Sequence, residues 1–418
     1  MRIGLLAVSS PCWMGRQVCG VPDARHPAPS RLRSLDVLRG VAILMVLGRH
    51  TLLQRLTVPA PVRFGLLQWQ TAGWAGVDLF FVLSGFLVSG LLFAEYRRDG
   101  HVRIGRFLIR RGLKIYPAFY VFLALTLLHG ARDAPPRPYG GDDLSLARVA
   151  SETFFVQSYF PHVWSHTWSL AVEEHFYLLL AASVALMAAW GVRRRPENPF
   201  RAIVPVTIGL AVCSLGMRSA VAATAPNASS LRFMATHLRT DALAFGVLLA
   251  YCTHFHRTAS EAWVRRHRWR IICASAVLVA PVLVVGADRA IVQSVGLTML
   301  YLGFGGILLV AVLAPEAPAR IAQPALAAIA WLGTYSYSVY LWQMPMAGWA
   351  SPAVARLTGW TPSSGARVAL YLVASVVVGV GMAKLVEMPV LALRDRWLPS
   401  PGRAAARPRG ALDAVPAS

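Results

Sequence analysis

Long apolar stretches, separated by short connections rich in arginine, make up most of this chain of 418 residues. A helix needs about 20 predominantly apolar residues to cross the hydrocarbon core of a bilayer. With a window of that length, ten stretches qualify, at residues 35–53, 72–93, 115–129, 168–190, 202–222, 241–254, 271–286, 291–314, 326–348 and 368–387. Charged residues make up only 14% of the chain, whereas soluble domains carry about 25%. The sequence therefore predicts an all-α, polytopic integral membrane protein, a helical bundle of about ten transmembrane helices.

Basic residues are distributed unevenly between alternate connections. If the N-terminus is cytoplasmic, the cytoplasmic segments hold 27 of the 41 Lys and Arg residues, and the opposite connections hold 10. Membrane proteins concentrate positive charge on the cytoplasmic side, so both termini are predicted to be cytoplasmic. The net charge of +22 is then explained by basic segments that face anionic lipid headgroups. Nucleic acid is therefore excluded as a partner.

The two ends of the chain differ from its apolar middle. Residues 1–32 and 397–418 lack a long apolar run and are predicted to be disordered cytoplasmic tails. Residues 33–396 are predicted to form one membrane domain. The five cysteines show no metal or redox spacing, so no metal is expected.

The first span carries several ionisable residues, which are costly inside a membrane and mark functional sites. Arg39 and His50 are eleven residues apart, which at 100° per residue places them on one helix face, about 16 Å apart along the axis. Asp36 shares this face three residues before Arg39, so the two are expected to form an ion pair.

A carboxylate in the fourth span lies at a depth similar to that of His50. Glu173 is expected about 8 Å below the outer boundary, because it follows Trp168 by five residues in a span that runs inward. A carboxylate can fix the tautomer of an imidazole and stabilise the imidazolium. We therefore predict His50 as a general base and Glu173 as its partner. The alternative is a pair that only holds two helices together.

A second group of basic residues lies near the cytoplasmic end of the third span. Arg110, Arg111 and Lys114 are expected to join Arg39 in a basic opening that binds the phosphates of a donor. The alternative is that these residues serve only the cytoplasmic charge bias of the connection.

Seven sequence blocks occur together in one order. They are Asp36-Val37-Leu38-Arg39-Gly40 with His50, Gly76–Phe86, Lys114-Ile115-Tyr116-Pro117, Trp168–Tyr177, Arg239-Thr240-Asp241-Ala242-Leu243, Ser336-Tyr337-Ser338-Val339-Tyr340-Leu341-Trp342 and Glu387-Met388-Pro389. Over residues 33–396 the chain resembles the membrane acyltransferase type 3 family, bacterial enzymes that modify O-antigen, exopolysaccharide and macrolides.

The resemblance implies about ten spans in a bacterial plasma membrane, a coenzyme A thioester as donor, and acyl transfer to a hydroxyl group. The family's arginine and histidine signature corresponds to Arg39 and His50, and its span glutamate to Glu173. Matching positions that we expect to support the site are Asp36, Asp78, Trp168, Arg239, Asp241, Tyr340, Trp342 and Glu387.

Three positions depart from the family pattern. Lys114 replaces the usual arginine and loses bidentate phosphate geometry. Gln343 stands where histidine is usual. The change removes a titratable group and argues against a catalytic role for this position. His175 stands where glutamine often follows the glutamate pair.

We therefore expect an integral membrane O-acyltransferase that moves an acyl group, most simply acetyl, from acyl-coenzyme A to a glycan or a glycosylated metabolite. Acyl-coenzyme A is expected as a co-substrate, with no tightly bound cofactor. The external connection 130–167 carries aromatic residues suited to sugar rings, namely Tyr139, Tyr159, Phe160, His162, Trp164 and His166. An interfacial aromatic belt is the alternative for this cluster. For the whole protein, the alternative is a transporter or flippase that uses the same intramembrane charges as a relay.

Overall fold

The computed structural model describes residues 30–51, 53, 58–132, 145–191, 197–225, 227–314 and 320–399. Within these residues the chain forms fifteen α-helices and no β-strand. In chain order they are α1 (Ser30–Arg49), α2 (Ala60–Ala72), α3 (Gly76–Asp99), α4 (Ile104–Arg132), α5 (Leu146–Thr153), α6 (Trp168–Gly191), α7 (Ile203–Thr224), α8 (Ser229–Met234), α9 (Thr240–Phe255), α10 (Arg257–Val284), α11 (Leu297–Leu313), α12 (Gln323–Thr334), α13 (Ser336–Thr358), α14 (Ser364–Met382) and α15 (Met388–Trp397). The predicted all-α class is confirmed. Most of the two predicted tails lies outside the described residues.

Seven helical segments in the described residues are long and apolar enough to cross a membrane. They are Ala60–Asp99, Ile104–His129, Trp168–Gly191, Ile203–Thr224, Arg257–Val284, Val292–Leu313 and Ser364–Trp397. These segments account for seven of the ten predicted spans, and the membrane class fits. The count of about ten is not confirmed.

The three remaining predicted spans do not form helices that are both long and apolar enough to cross a membrane, each for a different reason. Helix α1 carries several charges in its 20 residues. Helix α9 has only 16 residues, which is below the usual length of a span. The ninth predicted span is broken at Tyr335, which ends α12 and precedes α13.

Helices α3 and α9 pack with their backbones in close approach. A Cβ atom added to Gly85 of α3 would lie 2.0 Å from the carbonyl oxygen of Leu243 in α9. In return, a Cβ atom on Gly246 would lie 2.3 Å from the carbonyl oxygen of Val82. Small residues allow this approach between membrane helices, where van der Waals packing replaces the hydrophobic effect.

Helices α1 and α12 cross in the same manner. A Cβ atom on Gly40 would lie 2.0 Å from the carbonyl oxygen of Ile329, and one on Gly333 would lie 1.9 Å from that of Asp36. This crossing fixes α1, which carries the Asp36 and Arg39 side chains and leads directly to His50.

Apolar side chains on the outside of the bundle match a lipid environment. Val212 in α7, Val277 in α10 and Val373 in α14 are 65%, 70% and 61% exposed. Exposed β-branched residues on long helices are unfavourable in water and favourable against acyl chains. These three helices therefore present outward faces suited to the bilayer.

We predict that Gly85→Ala destabilises the protein by about 1–3 kcal/mol, because the new methyl group would overlap the Leu243 carbonyl. The measurement is thermal unfolding of purified protein in detergent. Gly381→Ala is the matched control, since a Cβ atom there meets nothing within 4 Å. Equal unfolding temperatures for the two variants would contradict the close approach of α3 and α9.

Candidate active site

Four buried charges form a network between α3, α7 and the start of α9. Arg239 Nη2 lies 2.9 Å from Asp78 Oδ1, and both side chains are 1% exposed. Arg218 Nη2 lies 2.8 Å from Asp241 Oδ2, and Arg218 also donates to the carbonyl oxygen of Leu238 at 2.6 Å. Within each pair the positive and the negative charge neutralise each other, which buried charges require.

Aromatic rings enclose the guanidinium group of Arg239. Its central carbon lies 5.5 Å from the ring centres of Phe81 and Trp168 and 5.3 Å from that of Phe233. Cation–π contacts of this kind stabilise a desolvated cation. Trp168 also begins α6, so the contact joins α6 to the charge network. The structure thus brings together Asp78, Trp168 and Arg239, which the sequence singled out separately.

Glu173 lies at the junction of α3, α4 and α6. Its Oε2 accepts hydrogen bonds from Ser84 at 3.0 Å and from Tyr177. The guanidinium of Arg111 lies 3.9 Å from the same oxygen and also donates to the Tyr177 hydroxyl. Arg111, predicted to be part of a basic opening, therefore also neutralises Glu173 inside the bundle.

The other predicted donor-binding residues occupy two separate places. Arg110 forms an ion pair with Asp395 of α15 at 3.0 Å. Arg39 lies 3.8 Å from Asp36, as its spacing in α1 predicts. The charges of both Arg39 and Lys114 act on the Asp36 carboxylate. Arg39 and Lys114 thus belong to one cluster with Asp36, and Arg110 belongs to a contact with the C-terminal helix.

His50 follows the last residue of α1 and is partly exposed. Its backbone N–H donates to the carbonyl oxygen of Leu47 at 3.3 Å. The Tyr371 hydroxyl lies 3.1 Å from the same carbonyl oxygen and 3.0 Å from Oε1 of Gln343. Gln343 is fully buried, and its Nε2 has no hydrogen-bond partner in the described part of the chain. A buried amide donor therefore lies close to the end of α1.

The Ser336–Trp342 block of α13 packs against the segment that precedes α6. The Tyr340 hydroxyl donates to the carbonyl oxygen of His166 at 2.6 Å and lies 2.6 Å from Ser169 Oγ. The ring of Trp342 meets that of Phe122 with centres 5.5 Å apart. The Tyr340 contacts fix the segment in front of α6 against α13, and the Trp342 contact packs α13 against α4.

Glu387 lies in a π-helical turn between α14 and α15 and is predicted to support the site. Its Oε2 accepts a hydrogen bond from Ser338 Oγ at 2.8 Å. Ser338 belongs to the same block of α13 as Tyr340, so this hydrogen bond joins the turn between α14 and α15 to α13.

The segment before α6 contains a buried carboxyl group. Oε1 of Glu152 accepts hydrogen bonds from the backbone N–H groups of Val163 and Trp164, each at 3.1 Å, and from Thr167 Oγ1 at 2.8 Å. Burial raises the pKa of Glu152 to about 7, although these three hydrogen bonds lower it. The carboxyl group fastens the turn that carries His166.

An exposed aromatic pair lies nearby. The Tyr159 ring stacks on the His237 ring with centres 5.7 Å apart and planes 5° apart, and the Tyr159 hydroxyl lies 2.9 Å from His237 Nδ1. Tyr159 is 46% exposed and Phe160 is 59% exposed. Tyr139, predicted to join this cluster, lies outside the described residues.

Sequence reasoning missed Ser84 and Tyr177 as partners of Glu173. Tyr177 follows Glu173 by four residues, a spacing that places both on one helix face and could have indicated the contact. Arg218 was visible as a charge inside an apolar span, but its partner Asp241 lies on another helix.

A family model described as an acyltransferase domain matches residues 32–384 of the chain. The peptidoglycan O-acetyltransferase OatA of Listeria monocytogenes is 26% identical to it over 339 residues, which cover 77% of this chain and 50% of that protein. The putative peptidoglycan O-acetyltransferase YrhL of Bacillus subtilis is 27% identical over 352 residues, which cover 76% of this chain and 49% of that protein.

A shorter match is a putative O-acetyltransferase of Staphylococcus aureus, 28% identical over 52% of this chain and 34% of that protein. The chain thus spans about half the length of the first two curated relatives it matches. No solved structure matches it.

We predict that Asp78→Asn and Arg239→Gln each lower stability by about 3–5 kcal/mol, because each leaves a buried charge without its partner. The double variant leaves no charge behind. We expect it to lose less stability than the sum of the two single losses. Thermal unfolding of the four proteins in detergent measures the coupling, and strictly additive losses would contradict a paired, buried site.

A second prediction concerns Glu152, whose folded-state pKa of about 7 lies above the ordinary value of 4.5. Folding favours the protonated form, so the stability from this group is full below about pH 4.5 and is lost as pH rises through 7. We expect Glu152→Gln, which stays neutral and keeps an acceptor oxygen, to gain in unfolding temperature relative to wild type between pH 5 and 8. The exposed Glu197→Gln is the control. A constant difference across this pH range would contradict the assignment.

Proposed function

Because the chain belongs to the acyltransferase 3 family, we propose that it transfers an acetyl group from acetyl-coenzyme A to a hydroxyl group of a cell-wall-type carbohydrate. The observation that carries the proposal is the match over residues 32–384, together with curated relatives named as O-acetyltransferases, two of them of peptidoglycan. A transporter or flippase would need no thioester donor, so consumption of acetyl-coenzyme A distinguishes the two functions.

His50 is the general base of the proposed reaction. It takes the proton of the acceptor hydroxyl while that oxygen attacks the thioester carbonyl carbon. The tetrahedral intermediate then breaks its carbon–sulfur bond, and the imidazolium returns the proton to the coenzyme A thiolate. The position of His50 at the end of α1, partly exposed and next to the Leu47 turn, supports this role. General-base catalysis of this kind contributes about 10²–10⁴-fold.

Glu173 stabilises the developing imidazolium by its negative charge. Its hydrogen bonds from Ser84 and Tyr177 and the Arg111 guanidinium hold the carboxylate in one position. A fixed carboxylate requires little reorganisation when charge develops during the reaction.

The donor enters where Arg39 of α1 and Lys114 of α4 lie together with Asp36. Arg39 is 26% exposed and its contact with Asp36 is long, at 3.8 Å, so a phosphate can compete for the guanidinium. Arg110 lies apart from this cluster, in its ion pair with Asp395 of α15. By helix rise, about 16 Å separates Arg39 from His50, a distance that a pantetheine arm can span.

The acceptor is bound from the opposite, outer side. The stacked pair of Tyr159 and His237, with the exposed Phe160 beside it, offers flat apolar surfaces with polar edges. Surfaces of this kind pack against sugar rings and bind their hydroxyl groups. Both termini are cytoplasmic in this arrangement, which agrees with the charge bias of the connections.

We predict that His50→Ala lowers acetyl transfer at least about 100-fold and that Glu173→Gln lowers it at least about tenfold, while both proteins accumulate in the membrane. The measurement is transfer of radiolabelled acetyl from acetyl-coenzyme A to a soluble N-acetylglucosamine tetrasaccharide. The exposed His101→Ala is the matched control and should retain wild-type activity.

Wild-type turnover in His50→Ala would contradict the general-base role. Failure of both His50→Ala and Glu173→Gln to accumulate would instead favour a structural pair.

A further inference from the structure

A proline in α13 removes the backbone donor for one buried carbonyl. Residue 345 is proline and lies inside α13. In an α-helix its N–H would bond to the carbonyl oxygen of residue 341, but proline has no N–H. Leu341 is fully buried, so its carbonyl oxygen needs another donor.

His166 supplies that donor and thereby fixes its own tautomer. Its Nε2 lies 3.1 Å from the Leu341 carbonyl oxygen. A carbonyl oxygen only accepts hydrogen bonds, so Nε2 carries the proton and Nδ1 presents a lone pair. Burial, with the nearby His50, lowers the pKa of His166 to about 3, which keeps the ring neutral.

The lone pair of Nδ1 has no partner in the described residues, although the atom is buried. The rings of Phe122, Trp164 and Tyr340 surround His166 with centres 5.4–6.2 Å away. The Tyr340 hydroxyl donates to the backbone of His166 instead. An unsatisfied buried acceptor is destabilising, and native structures rarely keep one without a reason.

The surroundings of His166 connect it to the proposed reaction. The Tyr371 hydroxyl lies 3.1 Å from the Leu47 carbonyl oxygen, three residues before His50, and 3.0 Å from Oε1 of Gln343, two residues after the Leu341 that His166 contacts. Gln343, two residues after Leu341, keeps a buried Nε2 donor that has no partner in the described residues. An acceptor and a donor that are both unsatisfied, near a partly exposed His50, match a ligand rich in hydroxyl groups.

We propose that Nδ1 of His166 accepts a hydrogen bond from a second hydroxyl group of the carbohydrate acceptor, next to the hydroxyl that His50 deprotonates. This inference rests on the proposed function and adds a residue that orients the acceptor. Pro345 is a positioning residue that acts through His166. Because it leaves the Leu341 carbonyl oxygen without a helical donor, Nε2 of His166 donates to that oxygen and Nδ1 remains the acceptor.

Two substitutions at His166 separate this role from a structural one. In His166→Asn the amide reaches the position of Nδ1, whereas in His166→Gln it reaches the position of Nε2 and can still donate to Leu341. We expect His166→Gln to raise the KM for the N-acetylglucosamine tetrasaccharide at least about tenfold, the equivalent of one hydrogen bond. The KM for acetyl-coenzyme A should stay unchanged, and His166→Asn should lie closer to wild type.

A structural role predicts the reverse order, because Gln keeps the contact with Leu341 and Asn loses it. Near wild-type KM values in His166→Gln, with losses in His166→Asn, would overturn the inference. If the wild-type protein transfers no acetyl group to the tetrasaccharide, the proposed function fails and this inference fails with it.

Pro345→Ala tests the fixed tautomer without changing His166. The new N–H competes for the Leu341 carbonyl, so we expect the KM for the tetrasaccharide to rise several-fold while unfolding temperature does not fall. Pro352→Ala, an exposed proline in the same helix, is the matched control and should leave that KM unchanged. The same KM in both variants would overturn the role of Pro345.

Discussion

The buried ion pairs Asp78–Arg239 and Arg218–Asp241 are the interactions on which the rest of the bundle depends. Both pairs are almost fully inaccessible, and unpaired charges at such positions would cost several kcal/mol each. They join α3, α7 and α9, and the rings around Arg239 add α6 through Trp168. Because α6 also carries Glu173, the charge network sets the position of the proposed catalytic carboxylate.

Glycine contacts and ion pairs together hold the helices against one another. Gly85 and Gly246 bring α3 and α9 within backbone contact, which places Asp78 and Arg239 at the distance that a salt bridge needs. Gly40 and Gly333 do the same for α1 and α12. In a membrane, where apolar burial drives association only weakly, close packing and buried polar contacts are the available forces.

Local spacing in the sequence predicted contacts within one helix, but it did not predict contacts between helices. The pair Asp36–Arg39 follows from a three-residue spacing and is found at 3.8 Å. The partners of Arg239 and Asp241 could not be predicted, because they lie on other helices, α3 and α7. Which helices become neighbours is decided by three-dimensional packing. Proline at position 345 leaves the Leu341 carbonyl oxygen without its helical donor, and only the fold shows that His166 supplies a donor instead.

In the proposed reaction the donor and the acceptor reach His50 from opposite sides of the membrane. The purified protein is reconstituted into liposomes in one orientation, with radiolabelled acetyl-coenzyme A on the side of the connection between α3 and α4 and the N-acetylglucosamine tetrasaccharide on the other. We expect label on the tetrasaccharide in this arrangement and none when the two substrates exchange sides. Label that appears only when both substrates share one side would contradict a donor and an acceptor that approach His50 from opposite faces.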